Sequence, residues 1–414
     1  MGLDATKTTR VFLLLVGSAI ILAGCVSAAA EPAPSTLTSL APLDSSTTVA
    51  TTTSPPKPIT TTTPSTTTTT TTTSTLPPTA GRTLKLVETI GGDISPKSVV
   101  SSGTGLFFAQ NMMYRHTVTV YNAAFELVHT ISDTVTLSDF GFDDYEGEFR
   151  GAPVEAAFTS DGAFAYVSNY EMSGPGFARP GTDGCNEANW DTSFLYRIDT
   201  ASLKIDQVIA VGAVPKFLAV TPDDRYVLVT NWCSFDMSVV DIASANVIAT
   251  IRLGRHPRGV AVSADAAIAY AAVMGSRDIA VIDLDGFAVD WIRGIGTSPR
   301  HIVLDPDGRY LYATLNGEGT VAKVDLAIRK VVARVATGNA PRSMTISTDG
   351  DSLYIVNYNS NTVSKVLTET MIEVQEIRSN DKPIGITYDA LTGNVWVSNY
   401  SGTITIYADV VDDG

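Results

Sequence analysis

Cysteine is nearly absent from this 414-residue chain, which holds only Cys25, Cys185 and Cys233. No C-x-x-C-H stands among them, which excludes covalent haem attachment of that type. Histidine is as scarce, and His116, His129, His256 and His301 form no motif. A G-x-S-x-G elbow, an H-E-x-x-H pair and a Walker loop are all missing, so the commonest hydrolase, metalloprotease and nucleotide signatures are absent. Positive charge is in short supply too: 28 Lys and Arg against 43 Asp and Glu give a net charge of −15. That balance argues against nucleic acid as a partner and against a polybasic membrane face. The apolar run Val11 to Leu22 has 12 residues, short of the roughly 20 that cross a bilayer.

What is present begins with that run. It follows Lys7 and Arg10 and reads as the core of a signal peptide. It ends in Leu22-Ala23-Gly24-Cys25, which resembles the lipobox of bacterial lipoproteins. The resemblance implies removal of residues 1–24 and a diacylglyceryl group on the Cys25 thiol. The protein would then be extracytoplasmic, lipid-anchored to the cell membrane and facing the cell surface or periplasm. Residues 25–81 are mostly Thr, Ser and Pro. They have almost nothing apolar to bury, so they are expected to form a disordered stalk with a reach of roughly 180 Å at the polyproline rise.

Residues 82–414 have ordinary globular composition and a repeat. Pro215, Pro257, Pro299, Pro341 and Pro383 stand 42 residues apart, and Pro96 and Pro153 extend the series with wider gaps. In the unit opened by Pro299, His301 to Leu304 is a short apolar strand and Asp307-Gly308 a hairpin turn. Strands over Tyr310–Thr314, Thr320–Asp325 and Val331–Ala336 follow. Four antiparallel strands in about 40 residues is the pattern of a propeller blade. The seventh unit stops after its third strand, Thr403 to Tyr407, while an extra strand, Leu86 to Ile90, precedes the first. The expectation is an all-β, seven-bladed β-propeller of four-stranded antiparallel blades, its ring closed by the N-terminal strand, which removes exposed edges.

The second strands read Tyr166-Val167-Ser168-Asn169, Leu228-Val229-Thr230-Asn231, Tyr354-Ile355-Val356-Asn357 and Trp396-Val397-Ser398-Asn399. Blade one has Phe108-Ala109-Gln110-Asn111, and blades four and five depart with Val273 and Leu315. On these tetrapeptides residues 82–414 resemble the YVTN-repeat β-propellers. The resemblance implies the fold and, more loosely, a cell-surface or periplasmic binding role. It also implies that the strand-end asparagines are structural.

First strands begin and second strands end on one face of such a ring, called the upper face below. The residue after the repeat proline is basic in five blades: Lys97, Lys216, Arg258, Arg300 and Arg342; blades two and seven have Val154 and Ile384. These side chains either form a broken cationic ring at the channel mouth or pair locally with acids. Tyr170, Trp232, Tyr358 and Tyr400 follow the strand-end asparagines on the same face. Two insertions emerge there. One, within Ser132–Gly151, carries Asp139, Asp143, Asp144, Glu146 and Glu148 with Phe140, Phe142, Tyr145 and Phe149, and has no calcium-loop register. The other, within Tyr170–Asp191, carries Phe177, Arg179, Cys185 and Trp190. His116 and His129 are expected on outer strands of blade one, and His256 and His301 near the channel mouth.

Cys233 follows Asn231 by two residues, in an upper-face loop next to the insertion that holds Cys185. With Cys25 taken by lipid, an exported chain pairs these two as a disulfide. The candidate ligand-binding residues are therefore Lys97, Lys216, Arg258, Arg300, Arg342, Tyr170, Trp190, Trp232, Tyr358 and Tyr400. Their chemistry suits an anionic small molecule, glycan or acidic peptide, bound by a monomer without metal, cofactor or catalytic residues. A lactonase-like or metal-dependent hydrolase at the channel mouth and a structural envelope component are the competing functions.

Overall fold

The structure, a computed structural model, describes residues 78–185 and 189–411. Cys25, the expected signal peptide and most of the expected stalk lie outside the described residues. Seven four-stranded antiparallel sheets follow one another along the chain. Blade five shows how sequence sets the pattern: its strands are Pro299–Leu304, Tyr310–Leu315, Thr320–Asp325 and Lys330–Ala336. The outermost strand alternates exposed and half-buried residues because only one of its faces packs on a neighbour. The second strand is buried almost throughout, because both of its faces do.

The core lies between the blades. Successive side chains of a strand point to opposite faces of the sheet, so each blade feeds two cores. Phe107 and Ala109 pack with Trp396 and Ile406 of blade seven, while Phe108 between them packs with Ala156 and Val167 of blade two. Phe107 and Trp396 stack with ring centroids 3.9 Å apart. Such a cluster of buried side chains joins every neighbouring pair of blades, including seven and one. The ring is closed.

Closure uses both ends of the chain. Arg82–Ile90 pairs antiparallel with Thr403–Val411, from Arg82 opposite Val411 to Ile90 opposite Ile404. Docking starts slightly upstream of the composition boundary, since Thr79 is buried and its backbone N–H donates to Asp349 at 2.7 Å. At the centre the inner strands approach closely. A Cβ on Gly259 would stand 2.8 Å from the His301 Cα, and one on Gly385 would stand 2.7 Å from the Ser98 Cα. Only glycine fits there.

Candidate functional site

The upper mouth of the ring is shaped by a backbone device repeated in each blade. In blades two to seven the inner strand carries a bulge right after the repeat proline, as between Pro215 and Phe217 or Pro299 and Ile302. A bulge leaves a residue outside the ladder and re-aims its side chain. In blades three to seven the residue before the proline is left-handed as well: Val214, His256, Ser298, Ala340 and Lys382 have φ between 56° and 60°. Non-glycine residues seldom hold that conformation, and such outliers gather at functional sites. Lys97 of blade one lacks both, but in blades three to six the basic residue sits between these two distortions.

Its side chain is thereby turned to the axis. Lys216, Arg258 and Arg300 are buried, and Lys97 and Arg342 are half-buried. Although they come from five blades, they act on one another. Burial first, then the charges of Lys216, Arg258, Arg300 and Arg342, push the Lys97 amine well below its usual range. Burial lowers Lys216 to about 7, with Arg258 and Arg300 adding and Asp183 opposing. Arg258 is lowered to about 10 by burial, against Glu155, and Arg300 is lowered by burial and by Arg258 and Arg342. Guanidinium groups keep their proton in proteins, so these shifts express first the cost of burying the charges and then their mutual repulsion. The Nε atoms of Arg300 and Arg342 are buried without a hydrogen-bond partner.

Few carboxylates answer this charge. Asp183, from the insertion of blade two, accepts from the Lys216 Nζ at 2.7 Å and the Tyr170 hydroxyl at 3.2 Å. Burial raises its carboxyl, but Lys216 outweighs that and holds it down at about 2. Glu155 follows Val154 in blade two, and burial raises it to about 7 in spite of Arg258 and Ser98. His301 is lowered to about 3 by burial and by Arg258 and Arg300, so it is neutral; its Nδ1 accepts from the Met344 backbone N–H at 3.0 Å.

The aromatic residues predicted for this face meet the cations. The Lys216 Nζ lies 4.1 Å from the Tyr170 ring centre and 5.3 Å from that of Trp232. Arg342 lies 3.6 Å over Tyr358, and Lys97 5.1 Å over Tyr400. Such contacts hold a cation at an aromatic face without neutralising it. Trp190 is the exception. It packs on the disulfide cluster of Cys185, Cys233, Val214 and Trp232, and it is absent from the cavity beside Lys97. That cavity, of about 440 Å³, is lined by Lys97, Lys216, Tyr170, Tyr400, His116 and Glu171 among others. A larger cleft of about 560 Å³ lies between the outer strands of blades two and three, but no comparable cluster of cations lines it.

The Cys185–Cys233 disulfide is present, with the two Cα atoms 5.2 Å apart. It staples the insertion to blade three, and the Trp232 Nε1 donates to the Asp183 carbonyl at 2.9 Å. Asp183 is thus held against Lys216. The other insertion turns inward instead: Val135, Leu137 and Phe149 form a small core with Phe194 and Tyr196, joined by Phe140, Phe142, Tyr145 and Phe177. Those aromatics pack on each other, with Tyr145 and Phe177 stacked at 5.1 Å. Asp143, Asp144, Glu146 and Glu148 are exposed.

The strand-end asparagines are structural: the Nδ2 groups of Asn111, Asn169 and Asn399 donate to the carbonyls of Ala109, Phe194 and Val397, and neighbouring side chains are reached as well. Asn357 Nδ2 donates to the hydroxyls of Thr362 at 3.1 Å and Ser364 at 2.7 Å, and Asn231 reaches Asp236 and Ser238 in the same way. His116 is placed differently from the expectation. It lies in the loop before Thr117 rather than on an outer strand, because its left-handed φ of 53° ends the turn; His129 lies on the outer strand Leu127–Ser132. The His116 Nδ1 is 2.7 Å from the Gly151 carbonyl.

Sequence reasoning missed Asp183, Glu155, His116 and Glu171. Glu155 had a signal. The residues two after each proline are Ser98, Glu155, Phe217, Gly259, His301, Ser343 and Gly385, and only one is acidic.

Comparison with known proteins fits this architecture. The family model described as YNCE-like beta-propeller matches residues 190–402. No curated protein matches the chain. Among solved structures it is similar to Kuenenia stuttgartiensis hydrazine synthase, with a TM-score of 0.63 and 19% identity, covering 78% of this chain and 98% of that one. At that identity the likeness is one of fold.

Proposed function

This chain belongs to the YNCE-like beta-propeller family, and we propose that it is an extracytoplasmic binding module that takes a small anion at the upper mouth of its ring. One observation carries the reading: basic side chains from five blades converge where, among the described residues, the carboxylates of Glu155, Asp183 and Glu171 face them. A protein that assembles like charges at its centre stores repulsion that a bound anion relieves. Carboxylates and phosphates match the planar forks of Arg258, Arg300 and Arg342. The aromatic collar of Tyr170, Trp232, Tyr358 and Tyr400 gives such a ligand an apolar rim.

The extracytoplasmic placement rests on Leu22-Ala23-Gly24-Cys25, on the Thr-rich stretch after it and on a disulfide that persists in oxidising compartments. Anchoring through Cys25 is tested by metabolic labelling with a fatty acid, which Cys25→Ala should abolish.

Thermal unfolding with oxalate and citrate tests the site. A ligand at a hundred times its Kd stabilises a fold by about 2.7 kcal/mol, so either anion should raise Tm. The triple variant Arg258→Gln/Arg300→Gln/Arg342→Gln should lose that rise while remaining folded. An equal rise in the triple variant means the anion binds elsewhere.

A further inference from the structure

We propose that Lys97 is a carbonyl-capturing amine: it forms an imine with small anionic aldehydes or ketones, of the 2-oxo-acid class, that enter the cavity beside it. The inference rests on the anion-binding reading above and adds a covalent step to it.

Geometry separates Lys97 from the other amine of the mouth. Both lysines line the cavity of about 440 Å³, which is large enough for a small organic acid. Lys216 is engaged by the Asp183 carboxylate at 2.7 Å. Lys97 makes no ion pair with any described residue. Its neighbour is the Tyr400 ring, 5.1 Å away, which holds the ammonium by its face and accepts no proton from it. Imine formation needs the neutral amine. Burial and the charges of Lys216, Arg258, Arg300 and Arg342 all favour that form here, and a lysine beside other cations in a desolvated site is activated in this way. The same cations draw in the carboxylate of the substrate, so its carbonyl arrives next to the amine.

The chemistry closes on groups at the cavity wall. The Lys97 Nζ lone pair attacks the carbonyl carbon, and the C=O pair moves to oxygen. Transfer of one proton from nitrogen to oxygen gives a carbinolamine. Its hydroxyl leaves as water with a proton from the Glu171 carboxyl, which lines the same cavity. Burial raises that carboxyl, opposed by His116 and Lys216. The remaining nitrogen lone pair forms the C=N bond. No electron is gained or lost, and one water is released.

Reductive trapping tests this on the purified protein, with pyruvate as the carbonyl probe and borohydride to fix the imine. Peptide mass mapping should find the adduct on Lys97 in clear excess over every exposed lysine. Oxalate, a dianion without a ketone, should suppress labelling. Lys97→Arg should carry no adduct. Labelling spread evenly over surface lysines, or placed on Lys216, overturns the assignment. If oxalate stabilises both proteins and pyruvate labels neither, the covalent step is wrong and the anion site stands. If oxalate stabilises neither, both readings fall.

Discussion

Replacing Lys365 with Met should weaken the ring at the point where its two ends meet. Lys365 is fully buried on the third strand of blade six, yet its Nζ donates to the Thr79 carbonyl, the Arg82 carbonyl and the Asp409 carboxylate, each at 2.7 Å. The Tyr354 hydroxyl donates to the other Asp409 oxygen at 2.7 Å. One ammonium therefore clasps the incoming chain, the outgoing chain and blade six. Methionine fills similar volume, so packing changes little, but Asp409 is left as a buried carboxylate with its cation gone. Breaking a buried pair from one side costs about 3–5 kcal/mol. For a folded unit of roughly 330 residues, at about 2.1 cal/mol/K of unfolding entropy per residue, 4 kcal/mol lowers Tm by about 6 °C. Urea unfolding should show a lower midpoint with an unchanged slope, and hydrogen exchange should rise first along Arg82–Ile90. The double variant Lys365→Met/Asp409→Leu should recover most of the loss, because a buried pair exchanged for apolar groups is often neutral. A single-variant cost below about 1 kcal/mol, in the range of a surface pair, would refute the clasp, as would a double variant no better than the single one.

Three further outcomes follow from the same geometry. Anion binding should weaken as pH rises through about 7: Lys216, lowered to about 7, sheds its proton there, while Glu155, raised to about 7, becomes charged; both changes subtract positive charge, and calorimetric affinities flat from acid to alkaline pH would contradict this. Reduction of the disulfide frees a loop with 48 residues of sequence separation, which should cost up to about 4 kcal/mol and, by releasing Asp183 from Lys216, change oxalate affinity; an unchanged melting curve with reductant would argue against the staple. Asn357→Ala should cost about 1–3 kcal/mol by stranding Thr362 and Ser364, whereas Val273→Asn should destabilise blade four unless Ala280 is changed to Ser with it, as double-mutant denaturation can show.

The last of these marks how far the fold was legible in sequence. Five prolines 42 residues apart, with Pro96 and Pro153 at wider gaps, made the blade count legible because the inner strand of each blade must start at the same place on the ring. The asparagine position was legible too, and a second column agrees with it. Where Asn231, Asn357 and Asn399 stand, the third strand offers Ser238, Ser364 and Thr405; where Val273 and Leu315 stand, it offers Ala280 and Ala322. The candidate site was legible only in part. The basic residues and the aromatics could be read, since both recur at a fixed offset from a repeat landmark. Whether they gather at the channel mouth or pair locally with acids stayed open. Simple strand alternation assigns them to one face of a sheet, and in blades three to six it is the bulge after the proline that turns them to the axis. Asp183 was hidden for another reason: it lies in an insertion with no repeat register, and only the disulfide determines where that insertion falls.

The faces of the ring carry a consequence for how such a site would be displayed. Thr79 is fastened to Ser347 and Asp349, in the turn between the first and second strands of blade six. That turn lies on the face opposite the repeat prolines, because a strand that starts on one face ends on the other. Val411 pairs with Arg82 and so lies on that far face as well. Thr79 and Val411 therefore both lie on the side away from the cationic mouth. The clasp at Lys365 and the cluster at Arg258, Arg300 and Arg342 thus lie toward opposite faces of the ring.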